Sequence, residues 1–189
     1  YLEPLLTRES GLGAGWVPVA LALFGAGAFA GVTVAGRYAD AHPVAVVATG
    51  MAALTAGWSA LALTAGSPVL ALALVPLLGL LAFGTGTALI TRVLSLAPGA
   101  PTLVGASSTT AFNLGATVGP WAGGLALGAG FGYRAPVGVS ALLMVAAVLV
   151  AATTAKSRRP RAGERRLSAV HRSAWRRSGS PGEHPGTRL

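Results

Sequence analysis

The stretch Val69–Ile90, VLALALVPLLGLLAFGTGTALI, decides the fold class, because it contains no charged side chain. A helix that rises about 1.5 Å per residue needs roughly 20 residues to cross a hydrocarbon core about 30 Å thick. An apolar run of this length is rarely the core helix of a soluble protein. We therefore predict that Val69–Ile90 is a transmembrane helix.

Four more uncharged stretches lie on either side of the first. They are Gly11–Gly36, Val44–Leu63, Leu103–Leu127 and Pro136–Ala155. The joints between them are short and most are rich in Gly and Pro, which places successive helices antiparallel. We predict an all-α polytopic membrane protein, with a bundle over residues 11–155 and five transmembrane helices at about 15–36, 44–63, 69–90, 103–127 and 136–155.

The composition separates an apolar body from a basic tail. Of the 189 residues 53% are hydrophobic and only 10% are charged, whereas about a quarter of an ordinary soluble domain is charged. Residues 1–155 hold four basic and three acidic side chains, and residues 156–189 hold ten basic and two acidic ones. We predict that the tail, 156–189, is disordered, with a surface-lying amphipathic helix as the alternative. One aromatic among its many arginines is weak evidence for nucleic-acid binding, and we expect none.

The placement of Lys and Arg predicts the orientation in the membrane. Arg37, Arg92 and the basic tail fall on one side, and Arg8 and Arg134 fall on the other. We therefore expect the tail in the cytoplasm and residues 1–10 outside. The chain begins with Tyr1 rather than Met and contains no cysteine. We expect it to be a piece of something longer or a processed product, without a disulfide or a thiolate metal site.

Two local patterns concern helix packing and the joint between spans. Gly27 and Gly31, like Gly115, Gly119 and Gly123, recur at intervals of four, and small residues at this spacing let helix backbones approach closely in lipid. Such faces are either sliding seams or static packing. The sequence Gly36-Arg37-Tyr38-Ala39-Asp40 lies where a span meets a cytoplasmic joint. Its small residues favour a close-packed turn with Asp40 as a hydrogen-bond acceptor, over a merely solvated charge.

Several segments in order resemble the drug:proton antiporters of the major facilitator superfamily. The loop sequence Gly36–Asp40 resembles the superfamily's cytoplasmic-loop signature, Tyr1–Leu6 and Leu23–Gly31 resemble the antiporters, and Ala111–Trp121 resembles their eleventh helix. The chloramphenicol-efflux and arabinose-efflux-permease subgroup is the nearest that we can name. The resemblance covers about residues 1–156, and Ala41 and His42 depart from it, because basic residues often follow the signature's Asp.

The resemblance implies that the five spans are helices eight to twelve of a twelve-helix transporter. Residues 1–10 would then be the end of the preceding helix and an extracellular loop. The partner would be a missing N-terminal half of six helices, and the location a bacterial-type inner membrane. The implied activity is export of small, partly apolar compounds, a drug such as chloramphenicol or a sugar, by proton antiport and alternating access. The alternative is a non-transporting membrane anchor or subunit whose basic tail docks to anionic lipid or a partner.

The resemblance also implies which side chains meet the substrate, since the family lines its cavity partly with helix eleven. Asn113 and Phe112 are the first candidates, Thr109 belongs to the polar patch beside them, and Phe24, Phe29 and Phe83 are further candidates. None of the five stretches contains Asp, Glu, Lys, Arg or His, so a proton carrier must lie outside this chain. A serine nucleophile would lack a base, because His42, His171 and His184 are outside the spans. We expect no enzyme activity, cofactor or metal.

Overall fold

The computed structural model describes residues 1–39 and 41–157, and within them it contains helices and no strand. The prediction of an all-α fold is therefore confirmed. The elements are α1 (Leu2–Pro4), a single π-helical turn (Leu5–Glu9), α2 (Trp16–Tyr38), α3 (Pro43–Thr64), α4 (Pro68–Leu96), α5 (Pro101–Gly128) and α6 (Ala135–Ser157).

Proline and glycine explain where several helices begin and end. The first residues of α3, α4 and α5 are Pro43, Pro68 and Pro101, and proline suits this position because its fixed φ is helical and its missing N–H needs no partner there. Between α5 and α6, Gly130 and Gly132 adopt φ of +85° and +79°. Because this left-handed region favours glycine, the two residues allow the tight reversal of the chain.

Among the described residues, four helices, rather than the five predicted, are long and apolar enough to cross a membrane. They are Trp16–Tyr38, Pro43–Thr64, Pro68–Leu96 and Ala135–Thr154. Helix α5 has 28 residues and is long enough. Its composition lowers its hydropathy, because Ser107–Thr110 and Asn113 place five polar side chains within two turns. The prediction of five apolar spans is thus wrong in number. The prediction of a multi-pass membrane protein is confirmed, because four helices have the required length and composition.

The chain divides into two compact units, Tyr1–Leu149 and Val150–Leu189. In the first unit the most extensive contact is between α2 and α4, followed by α3 with α4. Its core contains Leu5 and Leu6 from the π-helical turn, and Leu54, Leu61, Val75 and Leu78 from α3 and α4. In the second unit, Thr153 and Thr154 each donate a hydrogen bond of 2.9 Å to the Val150 carbonyl oxygen. The predictions for Asp40 and for residues 158–189 lie outside the described residues.

Candidate functional site

Helices α2 and α4 touch backbone to backbone through glycines of both helices. A Cβ atom added to Gly27 would meet the carbonyl oxygen of Pro76, and one added to Gly31 would meet that of Leu80. In the opposite direction, Gly79 faces the carbonyl oxygen of Phe24. Any side chain at these glycines would force the helices apart, so they fix the distance between α2 and α4.

Three phenylalanines from α2, α4 and α5 follow one side of α4, and we call them the aromatic surface. The rings of Phe24 and Phe83 pack edge to face, with centroids 6.1 Å apart and an interplanar angle of 77°. One turn beyond Phe83, a Cβ added to Gly86 would lie 3.4 Å from Cζ of Phe112. Phe83 and Phe112 remain 49% and 52% exposed. About half of each residue is thus free for contact with another molecule or element.

The polar side chains of α5 lie next to the aromatic surface. The Thr109 hydroxyl donates to the Gly105 carbonyl oxygen at 3.0 Å, and the Thr117 hydroxyl donates to that of Asn113 at 2.9 Å. Hydroxyls bonded in this way still have free lone pairs, and an Asn amide offers two donors and an acceptor. Because Thr109, Phe112 and Asn113 are all exposed, this part of α5 combines an aromatic ring with hydrogen-bonding groups.

Other predicted site residues lie apart from this group. Phe29 is 77% exposed and, five positions after Phe24, it lies about 140° around α2.

A Cβ added at Gly36, Gly115 or Gly119 would meet no atom within 4 Å, whereas one added at Gly123 would lie 3.1 Å from the Tyr1 ring. Arg37 is exposed. Among the described residues, the glycines of α5 therefore approach other segments only at the end of the helix near Tyr1.

A cavity of about 400 Å³ lies in the first unit and was not anticipated from the sequence. Its few polar groups are largely satisfied, because the Tyr1 hydroxyl donates to the Pro120 carbonyl oxygen at 2.8 Å and the Ser140 hydroxyl to that of Pro136 at 3.0 Å. All seven helical elements contribute to its walls, so no periodicity within a single helix could reveal it. It is lined by Tyr1, Leu2, Leu5, Leu21, Phe24, Trp58, Leu61, Val75, Leu78, Gly119, Pro120, Pro136, Val137 and Ser140.

Polar contacts join three loops at one end of the first unit. The Arg134 guanidinium forms an ion pair with Glu9, with Nε and Oε2 2.8 Å apart. The Arg8 guanidinium lies 5.5 Å from the centroid of the Tyr133 ring. The buried hydroxyl of Ser10 donates to the Ala65 carbonyl oxygen at 2.6 Å. The segment before α2, the α3–α4 turn and the α5–α6 loop thus lie together, as alternating antiparallel helices require.

These features define a multi-pass α-helical membrane protein with an aromatic and hydrogen-bonding surface on α2, α4 and α5. The chain is 49% identical over 151 residues to the chloramphenicol resistance protein of Streptomyces lividans, across 80% of this chain and 38% of that protein. It is 32% identical over 155 residues to the uncharacterized MFS-type transporter YfhI of Bacillus subtilis (strain 168), across 82% of this chain and 39% of that one. The chain is therefore homologous to part of a major facilitator superfamily transporter, which confirms the resemblance seen in the sequence.

The chain spans about two fifths of the length of these relatives. No family model matches it. No solved structure matches it either.

Proposed function

We propose that this chain forms the C-terminal half of an efflux transporter that exports small, partly apolar compounds, chloramphenicol among them, in exchange for protons. The observation that carries the proposal is the 49% identity to a protein named for chloramphenicol resistance. The transporter would lie in a bacterial inner membrane, and α5 would cross it together with the four more apolar helices. Five crossings would place residues 1–10 outside and the basic tail in the cytoplasm. Its work would be transport and not catalysis.

The aromatic surface and the polar side chains of α5 supply the two kinds of contact that such a compound needs. Phe83 and Phe112 are about half exposed, and aromatic pairs contribute about 0.5–1.5 kcal/mol beyond the area that they bury. Asn113 and Thr109 are exposed on the same helix as Phe112 and would bind hydroxyl or amide groups of the compound. A substrate with an aromatic ring and a polar chain fits this combination best.

The rest of the transporter would complete both the moving parts and the proton pathway. Alternating access moves one bundle of helices against another around a site near the membrane midplane. The glycine contacts of Gly27 and Gly31 hold α2 and α4 together, so this pair would move as one body. Because the uncharged stretches of this chain hold no ionisable side chain, the group that loads and releases a proton would belong to the other half.

The cavity of about 400 Å³ would be filled in the complete transporter. Tyr1, Leu2 and Leu5 form one wall of it, and these residues would end a helix that continues before Tyr1. That helix would bury its apolar face against Trp58 and Leu78, which also line the cavity. Phe24 lines the cavity as well as the aromatic surface, so the cavity would serve packing while Phe83 and Phe112 would contact the substrate.

Expression in a bacterial host that lacks its own drug-efflux pumps tests the proposal. The full-length gene should raise the minimal inhibitory concentration of chloramphenicol severalfold above the empty vector. This chain by itself, without the other half, should give no increase. Resistance from this chain alone, or a full-length protein that reaches the membrane without altering resistance, would contradict the proposal and favour a membrane anchor or subunit.

A further inference from the structure

Helix α5 has few buried residues, and they lie near its two ends. The structure describes all 28 residues of this helix, and among them only Val104 and Gly123 are buried. Phe112 and Asn113, the first candidates for contact with the drug, lie between these two points and are exposed. Because so little of α5 is packed against the rest of the first unit, the position of its exposed stretch depends on a few contacts.

The contact near the end of α5 is made by Tyr1. A Cβ added to Gly123 would lie 3.1 Å from Cε2 of the Tyr1 ring, and one added to Gly124 would lie 2.8 Å from its hydroxyl oxygen. The same hydroxyl donates a hydrogen bond of 2.8 Å to the Pro120 carbonyl oxygen. Two adjacent glycines thus leave room for the ring, and a carbonyl group about one turn earlier on α5 accepts its hydrogen bond.

The carbonyl group that accepts this bond belongs to the proline inside α5. Because Pro120 has no N–H, the Ala116 carbonyl oxygen loses its usual backbone donor, and helices bend most readily at such a residue. Asn113 lies about two turns before Pro120. A hydrogen bond from another segment to Pro120 therefore restricts the bend and the position of the residues that precede it.

Tyr1 itself belongs to a segment that is anchored in the core of the first unit. Leu5 and Leu6 in this segment are 1% and 0% exposed. The Leu5 N–H donates to the Tyr1 carbonyl oxygen at 3.2 Å. The Tyr1 side chain thus connects the sparsely packed α5 to a well-packed part of the molecule.

We propose that Tyr1 is a positioning residue for drug transport. Its hydroxyl holds α5 at Pro120, and this keeps Phe112 and Asn113 in place beside the aromatic residues of α2 and α4. Tyr1 acts through α5 and does not have to touch the drug. The proposal rests on the proposed function, because it concerns the binding of the exported compound.

A double-mutant cycle tests the contact in the full-length protein without a transport measurement. The methyl group of Gly124→Ala would lie 2.8 Å from the Tyr1 hydroxyl oxygen but 4.0 Å from Cζ of the ring, which is an ordinary contact distance. Gly124→Ala should therefore lower the melting temperature in lipid nanodiscs when the hydroxyl is present. In the Tyr1→Phe background the same substitution should lower it less or not at all.

Gly115→Ala is the matched control for this cycle. A Cβ at Gly115 meets no atom within 4 Å, so this substitution should change the melting temperature equally with and without the Tyr1 hydroxyl. An equal effect of Gly124→Ala in the two backgrounds would overturn the proposal, because the hydroxyl would then not lie against α5.

The kinetics of chloramphenicol transport separate positioning from stability. Tyr1→Phe removes one hydroxyl and keeps the ring. Loss of this hydrogen bond should raise the KM for chloramphenicol about two- to tenfold, with the maximal rate per folded molecule largely unchanged. A purely structural role would lower the amount of folded protein and leave KM as it is, and that result would overturn the proposal.

The two measurements also distinguish this proposal from the proposed function. If the unmodified full-length protein transports no chloramphenicol, the proposed function fails and the role of Tyr1 fails with it. If the unmodified protein transports the drug while Tyr1→Phe has the same KM, only the role of Tyr1 fails.

Discussion

At the scale of the residue, glycine and phenylalanine have separate tasks in the first unit. Gly27 and Gly31 bring the backbones of α2 and α4 together. Phe83 and Phe112 lie about half exposed on the adjoining surface. In lipid the association of helices depends on close packing, because the surrounding chains are as apolar as the side chains. The glycines thus set the spacing that keeps the phenylalanines in position.

Gly31→Leu should disrupt the α2–α4 contact. Its Cβ would meet the backbone carbonyl of Leu80, and a backbone atom cannot move aside as a flexible side chain can. We expect the yield of monodisperse full-length protein, measured by fluorescence-detected size-exclusion chromatography, to fall severalfold. Gly25→Leu is the control, since a Cβ at Gly25 meets nothing within 4 Å. Equal yields of the two variants would show that the contact does not determine folding.

Phe112→Ala should weaken drug binding without unfolding the protein. Because Phe112 is 52% exposed, its loss leaves little internal space, whereas removal of one aromatic contact costs about 0.5–1.5 kcal/mol, or roughly 2- to 12-fold in affinity. The measurement is the chloramphenicol concentration for half-maximal transport by the full-length protein. Phe29→Ala, on another part of α2, is the control and should leave this concentration unchanged. A larger effect at Phe29 than at Phe112 would exclude the aromatic surface as the substrate site.

At the scale of the element, the sequence predicts the positions of the helices better than it predicts which of them are apolar enough to cross a membrane. Uncharged runs of about 20 residues correspond to α2, α3, α4 and α6, because a membrane helix satisfies its own backbone and its length follows from the bilayer. Helix α5 is also continuous over Pro101–Gly128. It is free of charge like the other spans, but its Ser, Thr and Asn side chains make it less apolar than the four helices of membrane-crossing composition.

The aromatic surface and the cavity could not be derived from such runs. That Phe24 meets Phe83 depends on the rotation of α2 against α4, which the glycines set. The sequence indicates Phe24 and Phe83 as candidates, but it does not show that they are neighbours or that Phe29 lies elsewhere. The burial of the Thr85 hydroxyl without a hydrogen-bond partner among the described residues depends on how α3 packs against α4. These contacts depend on how the helices pack against one another, which the local propensity of each segment does not reveal.

The loops at one end of the first unit offer a test of how the elements are joined. Arg134 and Glu9 form an ion pair between groups that are 48% and 23% exposed, and pairs this accessible are worth about 0.2–1 kcal/mol. Arg134→Glu should lower the melting temperature of the full-length protein slightly, because two carboxylates would face each other. The double variant Glu9→Arg, Arg134→Glu should recover most of the loss at low salt. If the double variant melts no higher than the single one, the pair does not join these loops in the membrane.

At the scale of the whole molecule, the chain is homologous to about two fifths of its relatives, so its surfaces have to be understood as parts of a larger protein. The exposed polar stretch of α5 and the apolar cavity beside Tyr1 both present surface to a neighbour or a ligand. The two surfaces differ in chemistry, and this difference supports separate roles in substrate contact and in packing.

Transport in a purified system tests whether the chain is half of a proton-coupled drug exporter. The full-length protein would be reconstituted into liposomes, and the movement of radiolabelled chloramphenicol would be followed with and without an imposed pH gradient. We predict movement of the drug against its concentration gradient that requires the pH gradient and that Phe112→Ala reduces. Drug movement that is the same in protein-free liposomes, or that ignores the pH gradient, would contradict the account.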